Sequence, residues 1–262
     1  MDPLAFATLL RGAEAMAIAL ARVLGCAMFL PIFGRRHMAS LHRNAICIAL
    51  SLPQAASIWV ELGGTADAGP WLAALALKEA LLGCALGLAL SVPFWALSGA
   101  CTLIDNQRGA NAAQQINPSL AADSSILGEA FERLLIVLLA QAGMFKLAFA
   151  VIVGSYAVWP ALAPMPDLSD AMRAATLGAV NQLLADSMLY AAPVLLVLMA
   201  VEFALAIASS AIKGLEVYQT AMPIKTLLAI FTIVLCLPGL ADHVVRAVET
   251  WWAADVLRSM PR

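Results

Sequence analysis

The chain has 262 residues, of which 63% are hydrophobic and 12% charged, with a formal net charge of −2 and a mean hydropathy of +0.89. Soluble domains sit nearer half apolar and a quarter charged, so this composition excludes an ordinary soluble globular protein. The small negative charge argues against a nucleic-acid partner and against a polybasic membrane tether.

Six apolar blocks follow one another along the chain, at 13–33, 44–60, 71–103, 134–159, 188–212 and 224–241. A helix needs about 20 apolar residues to cross a bilayer, so most blocks are long enough and the second and sixth are marginal. The expected fold is all-α, built of membrane-associated helical hairpins with kinked helices. The leader "MDPLAFATLLRG" lacks a basic n-region and a small-residue cleavage site, so the first block is expected to be retained. Arg22 lies deep in this block and needs a protein or water partner, because a charge at the bilayer centre costs about 2.5–3.5 kcal/mol on insertion scales.

The connection "GRRHMASLHR" carries Arg35, Arg36 and Arg43, whereas "ELGGTADAGP" after the second block has no Lys or Arg. The positive-inside rule puts the first of these connections in the cytoplasm and the amino terminus outside. In the third block Lys78 and Glu79 are neighbours. They point about 100° apart on a helix, so each is expected to need its own partner. Gly83 and Gly87 form a GxxxG that permits close helix packing. Pro93 removes an amide hydrogen and is expected to kink or split the block.

Between the third and fourth blocks lies a polar island, "LIDNQRGANAAQQINPS", residues 103–119. It holds Asp105, Arg108, three asparagines and three glutamines. Gly109 permits a sharp turn, Asn117-Pro118 is a second turn signal, and Asp123, Ser124 and Ser125 can cap the next helix. Neutral amides donate and accept without demanding a counter-ion, which suits a segment packed among backbones near water and able to exchange partners. An ordinary polar loop would have the same composition.

The fourth block carries Lys146 near an end, where its stem can snorkel, and the fifth carries Glu202 in its interior. Lys225 opens the sixth. Pro238-Gly239 is expected to break the chain before an amphipathic final stretch, "HVVRAVETWWAADVLRSM". There Val244, Val245, Val248, Trp252 and Val256 share a face opposite Arg246 and Glu249. Trp251 and Trp252 suit either a membrane interface or a partner surface.

The five cysteines are scattered through apolar sequence, and the three histidines have no metal-ligand spacing. No GxSxG, HExxH, phosphate-binding or dinucleotide fingerprint occurs. An enzyme and a bound cofactor are therefore not expected.

Four stretches in order carry a family resemblance: "RVLGCAMFLPIFGRRHMASLHRNAICIALSLP", "LALKEALLGCALGLALSVPFWALSGACTLIDNQRGA", "LIDNQRGANAAQQINPS" with "SSILGE", and "LEVYQTAMPIKTLL". Together they resemble the SctT/FliR family, export-apparatus subunits of type III secretion systems, and the IDNQRG and MPIK forms are nearer the injectisome branch than the flagellar one. "IKGLEVYQT" departs from the family's usual Ala-Pro-Gln run, with Gly214 standing where the proline makes a break.

The resemblance implies a fused SctR-like and SctS-like unit in a helical export-gate assembly, with residues 1–185 SctR-like and 186–262 an SctS-like hairpin ending in the amphipathic helix. It implies SctR-, SctS- and SctU-type partners, unfolded secreted proteins in transit, and the bacterial inner membrane, with much of the assembled chain above the membrane plane. Within it, residues 105–124 would form a plug loop using Asp105, Asn106, Gln107, Arg108, Gly109, Asn111, Gln114, Gln115, Asn117 and Pro118. Arg22, Lys78, Glu79, Glu202, Met222, Pro223 and Lys225 would make subunit contacts. A secondary transporter using the intramembrane charges as a coupling site is the rival expectation, although the first three blocks show no similarity to the last three.

Overall fold

The computed structural model of the chain describes residues 3–63, 71–109, 125–163, 170–211 and 217–252. Every regular element among them is helical. The α-helices are α1 (Pro3–Phe29), α2 (Ser40–Leu62), α3 (Leu72–Arg108), α4 (Ile126–Gln141), α5 (Met144–Val158), α6 (Asp170–Ala211) and α7 (Val217–Thr250), with one 3-10 turn at Pro31–Phe33. Among the described residues each of the six apolar blocks falls largely within a helix, and the fourth is broken between α4 and α5. Gly143 makes that break at φ 71°, a conformation that costs an L side chain energy but glycine little.

Among the described residues five helices are long and apolar enough to cross a membrane, and the bent α4–α5 pair makes a sixth when taken as one span. The expected splitting of the third block does not occur: α3 runs through Pro93 for 37 residues. The expected break at Pro238-Gly239 is absent too, because α7 continues through both Pro223 and Pro238. A proline deletes one i→i−4 bond and pushes against one carbonyl, and neighbouring turns and packing can carry a helix across that defect.

The chain packs as two compact units that cut across its order. One contains Met1–Val92, Ala140–Ala179 and Val248–Arg262, and the other Pro93–Leu139 and Val180–Ala247.

In the first unit, Ala15, Ile18 and Ala19 of α1 pack with Ala55, Ile58 and Leu62 of α2 and with Tyr156 and Ala161. Helices α1 and α3 run in the same direction and nearly touch. A Cβ added at Gly83 would land on the Arg22 carbonyl, and one at Gly87 would stand 2.5 Å from the Cys26 carbonyl oxygen. One turn on, Ser91 Oγ donates to the Phe29 carbonyl at 2.9 Å and to Gly87 O at 2.6 Å. GxxxG spacing therefore serves close main-chain approach here.

The second unit buries Leu97, Ala100 and Ile104 of α3, Leu135 and Leu139 of α4, and Ala191, Val194 and Leu198 of α6. The final turns of α7 follow the amphipathic reading: Val244 and Val248 are buried, whereas Arg246 and Glu249 are exposed. Trp252 is fully buried and Trp251 half-buried. The Trp251 indole N–H donates to Ala89 O at 2.8 Å and that of Trp252 to Leu90 O at 3.2 Å. These two tryptophans thus dock on α3 of their own chain, and Val256 lies outside the described residues.

Candidate functional site: two polar clusters among apolar helices

The first cluster is centred on Arg22, which has no solvent-exposed surface. Its Nε donates to Glu79 Oε2 at 2.6 Å, Nη1 to Ser155 Oγ at 3.0 Å and Nη2 to the Trp159 carbonyl at 2.8 Å. The guanidinium also lies 3.8 Å from the centroid of the Tyr156 ring, a cation–π geometry. Tyr156 Oη donates to the Ala19 carbonyl at 3.0 Å, which fixes the ring on α1.

Lys78, also buried, donates to Ala161 O at 2.6 Å and Ala163 O at 2.8 Å. These carbonyls follow the carboxyl-terminal end of α5, where the helix dipole favours a cation. Expectation and structure differ at one point: Lys78 Nζ reaches Glu79 Oε1 at 3.0 Å. A flexible four-carbon stem overcomes the 100° separation of adjacent residues. That oxygen receives no hydrogen bond of acceptable geometry among the described residues, so the contact is Coulombic. Two cations therefore share one buried carboxylate, with main-chain carbonyls absorbing the excess.

The second cluster gathers the polar island and the MPIK stretch. Asp105, only 2% exposed, accepts from Arg108 Nε at 2.8 Å and from the Ser125 hydroxyl. Ser125 in turn caps α4: its Oγ accepts from the Gly128 amide at 2.8 Å, and its carbonyl accepts from the Glu129 amide. One carboxylate thus ties the end of α3 to the start of α4, the two ends of segment 110–124.

Gly109 closes α3 at φ 83°, with its amide donating to the Asn106 carbonyl at 3.1 Å. A Cβ there would lie 3.1 Å from Met222 Cε. Beside it, Gln107 Nε2 donates to Glu202 Oε2 at 3.1 Å, and Glu202 Oε1 pairs with Lys225. The Lys225 side chain is 15% exposed and that of Glu202 38%, so water screens this pair more than the Arg22 pair.

Of the expected site residues, the structure brings together Asp105, Gln107, Arg108, Gly109, Glu202, Met222 and Lys225. Asn106 and Pro223 are exposed nearby on α3 and α7. Asn111, Gln114, Gln115, Asn117 and Pro118 lie outside the described residues, as do Asp123, Ser124 and Gly214. Arg22, Lys78 and Glu79, expected at subunit contacts, use their polar groups inside the chain. Lys146 is exposed in the first turn of α5. Sequence reasoning missed Ser155, Tyr156 and Trp159 as the seat of Arg22. Their signal was a small hydroxyl and two aromatic residues with polar handles at the end of an otherwise aliphatic block.

Helices long and apolar enough to cross a membrane, with Arg22, Lys78 and Glu79 neutralised among themselves, define a multi-helix membrane protein. The chain belongs to the family described as bacterial export proteins, family 1, which matches residues 13–251. It is 30% identical over 230 residues to the Yop proteins translocation protein T of Yersinia pestis, covering 87% of this chain and 88% of that one. Identity to the surface presentation of antigens protein SpaR of Salmonella typhimurium is 29% over 235 residues, 88% and 86% of the two chains. The flagellar biosynthetic protein FliR of Bacillus subtilis is more distant, 25% identical over 215 residues, 79% and 80% of the two. The injectisome branch is accordingly the nearer one.

Proposed function

We propose that this chain is a structural and gating subunit of a type III secretion export apparatus in the bacterial inner membrane, acting without catalysis or cofactor. In this reading it builds the substrate entrance pore with SctR- and SctS-type subunits, an SctU-type subunit lies against the assembly, and unfolded proteins pass through. The names of its relatives support membership of such a machine. The observation that carries the gating role is the clasp. Asp105 holds both ends of segment 110–124, and Gly109 and Gln107 rest on Met222 and the Glu202–Lys225 pair.

A segment held at both ends by part-buried polar bonds suits a plug. Each of these bonds has a carboxylate as acceptor and contributes about 1.5–3 kcal/mol net, so the set holds the resting position yet can exchange for water or substrate without unfolding a helix.

Two measurements test the assignment. Co-expression with SctR- and SctS-type subunits should give a detergent-stable complex that contains this chain once, read by native mass spectrometry; a well-folded chain that stays alone would overturn it. Deletion of residues 109–116 should leave that complex intact and raise its resting ion conductance in planar bilayers. Normal assembly with no added conductance would remove the plug from the proposal.

A further inference from the structure

In an α-helix the carbonyl of residue i accepts from the amide of residue i+4. The acceptor at Ala89 should therefore bond to residue 93, which is Pro93 and has no amide hydrogen. Trp251 Nε1 lies 2.8 Å from that same oxygen. The next carbonyl, Leu90 O, has the amide of Phe94 available by sequence and receives Trp252 Nε1 at the longer distance of 3.2 Å.

We infer that Trp251 supplies to Ala89 the hydrogen bond that Pro93 withholds, which makes the carboxyl-terminal end of α7 a brace for α3 at its proline. The brace is specific in chemistry: an indole N–H is a donor only, and an orphaned carbonyl needs only a donor. It also accounts for the order of the two tryptophans. Trp252 fills space, being fully buried, whereas Trp251 is half-buried and contributes its polar edge. Because α3 is continuous to Arg108, the turn that Trp251 secures is part of the same helix that ends in the Asp105–Arg108 pair.

A double-mutant cycle on the full-length chain tests the inference, with thermal unfolding in detergent as the readout. Trp251→Phe keeps the ring and removes the donor. It should lower the folded-to-unfolded ratio about ten-fold, near the low end of the range for leaving an acceptor unmade, because the Ala89 carbonyl is only part-buried. In a Pro93→Ala background residue 93 regains its amide, so the same substitution should cost little. Trp252→Phe serves as the control and should cost the same in both backgrounds. An equal loss from Trp251→Phe with Pro93 and with Ala at 93 would overturn the brace.

Should Pro93→Ala not fold, Pro93→Ser restores the same amide. Hydrogen exchange of single Trp251→Phe gives a second readout: amides 90–97 should exchange faster, and unchanged exchange there would equally overturn the inference. Neither measurement depends on the export-gate reading, so the two can fail separately.

Discussion

Glu79→Gln is expected to destabilise the protein by about 3–5 kcal/mol, the cost of breaking a buried ion pair by removing one partner. The substitution keeps the shape of the side chain and removes the charge. It leaves Arg22 fully enclosed and Lys78 nearly so, with no carboxylate between them. Guanidinium cannot escape by losing its proton. Ser155 Oγ and the Trp159 carbonyl can still bond to it but cannot balance its charge. Denaturant titration in detergent would measure the loss. The double replacement Arg22→Met with Glu79→Leu should recover most of it, because removing both members of a buried pair is far less costly than removing one. A single-mutant loss below about 1 kcal/mol, the level of an exposed surface pair, would mean that Glu79 is not the counter-ion of Arg22.

That cluster also shows where reading the sequence stops. Apolar blocks located every long helix, because burial in lipid or protein demands continuous hydrophobicity whatever the topology. Arg22, Lys78 and Glu79 announced themselves as charges needing partners. The partners did not, since Ser155 and Trp159 lie 133 and 137 residues from Arg22 and periodicity assigns a face, never a neighbour. The proline readings overreached where they expected a break: α3 does not split at Pro93 and α7 runs on through Pro238. Pro93 does remove a bond, but the sequence around it says nothing of the Trp251 indole, 162 residues on from Ala89, standing near the Ala89 carbonyl.

At the second cluster the balance is different. Each half was legible as a motif: the polar island by its amides and Gly109, the MPIK stretch by its lysine after an apolar helix start. Ser125 was one of three capping candidates, with Asp123 and Ser124, and position alone did not choose among them. Their convergence was not legible. Asp105 could have served as a cap or as a solvated loop acid, and only the fold shows it gripping Arg108 and Ser125 together. Glu202 lies 95 residues from Gln107, so the bond that sets Gln107 beside the MPIK stretch has no local signature.

Gly83→Ala should rank with Glu79→Gln in damage although it adds one methyl group. The three atoms nearest the new Cβ are the carbonyl oxygen, carbonyl carbon and Cα of Arg22. All are main chain inside a helix, so no rotamer change can relieve the overlap and α1 must move away from α3. Moving the Arg22 backbone also lengthens its bonds to Glu79, Ser155 and Trp159, which coupling makes worse than packing strain alone. A loss of about 3 kcal/mol, at the top of the overpacking range, is expected in the same titration. Gly12→Ala and Gly178→Ala are the controls: nothing lies within 4 Å of a Cβ at either. In those helix interiors alanine should stabilise by up to about 1 kcal/mol. Gly99→Ala should fall between, since its close neighbour is Ser187 Oγ at 3.0 Å, a side chain that can turn aside. If Gly83→Ala were as mild as Gly12→Ala, the close approach of α1 and α3 would be wrong, and with it the geometry that delivers Arg22 to Glu79.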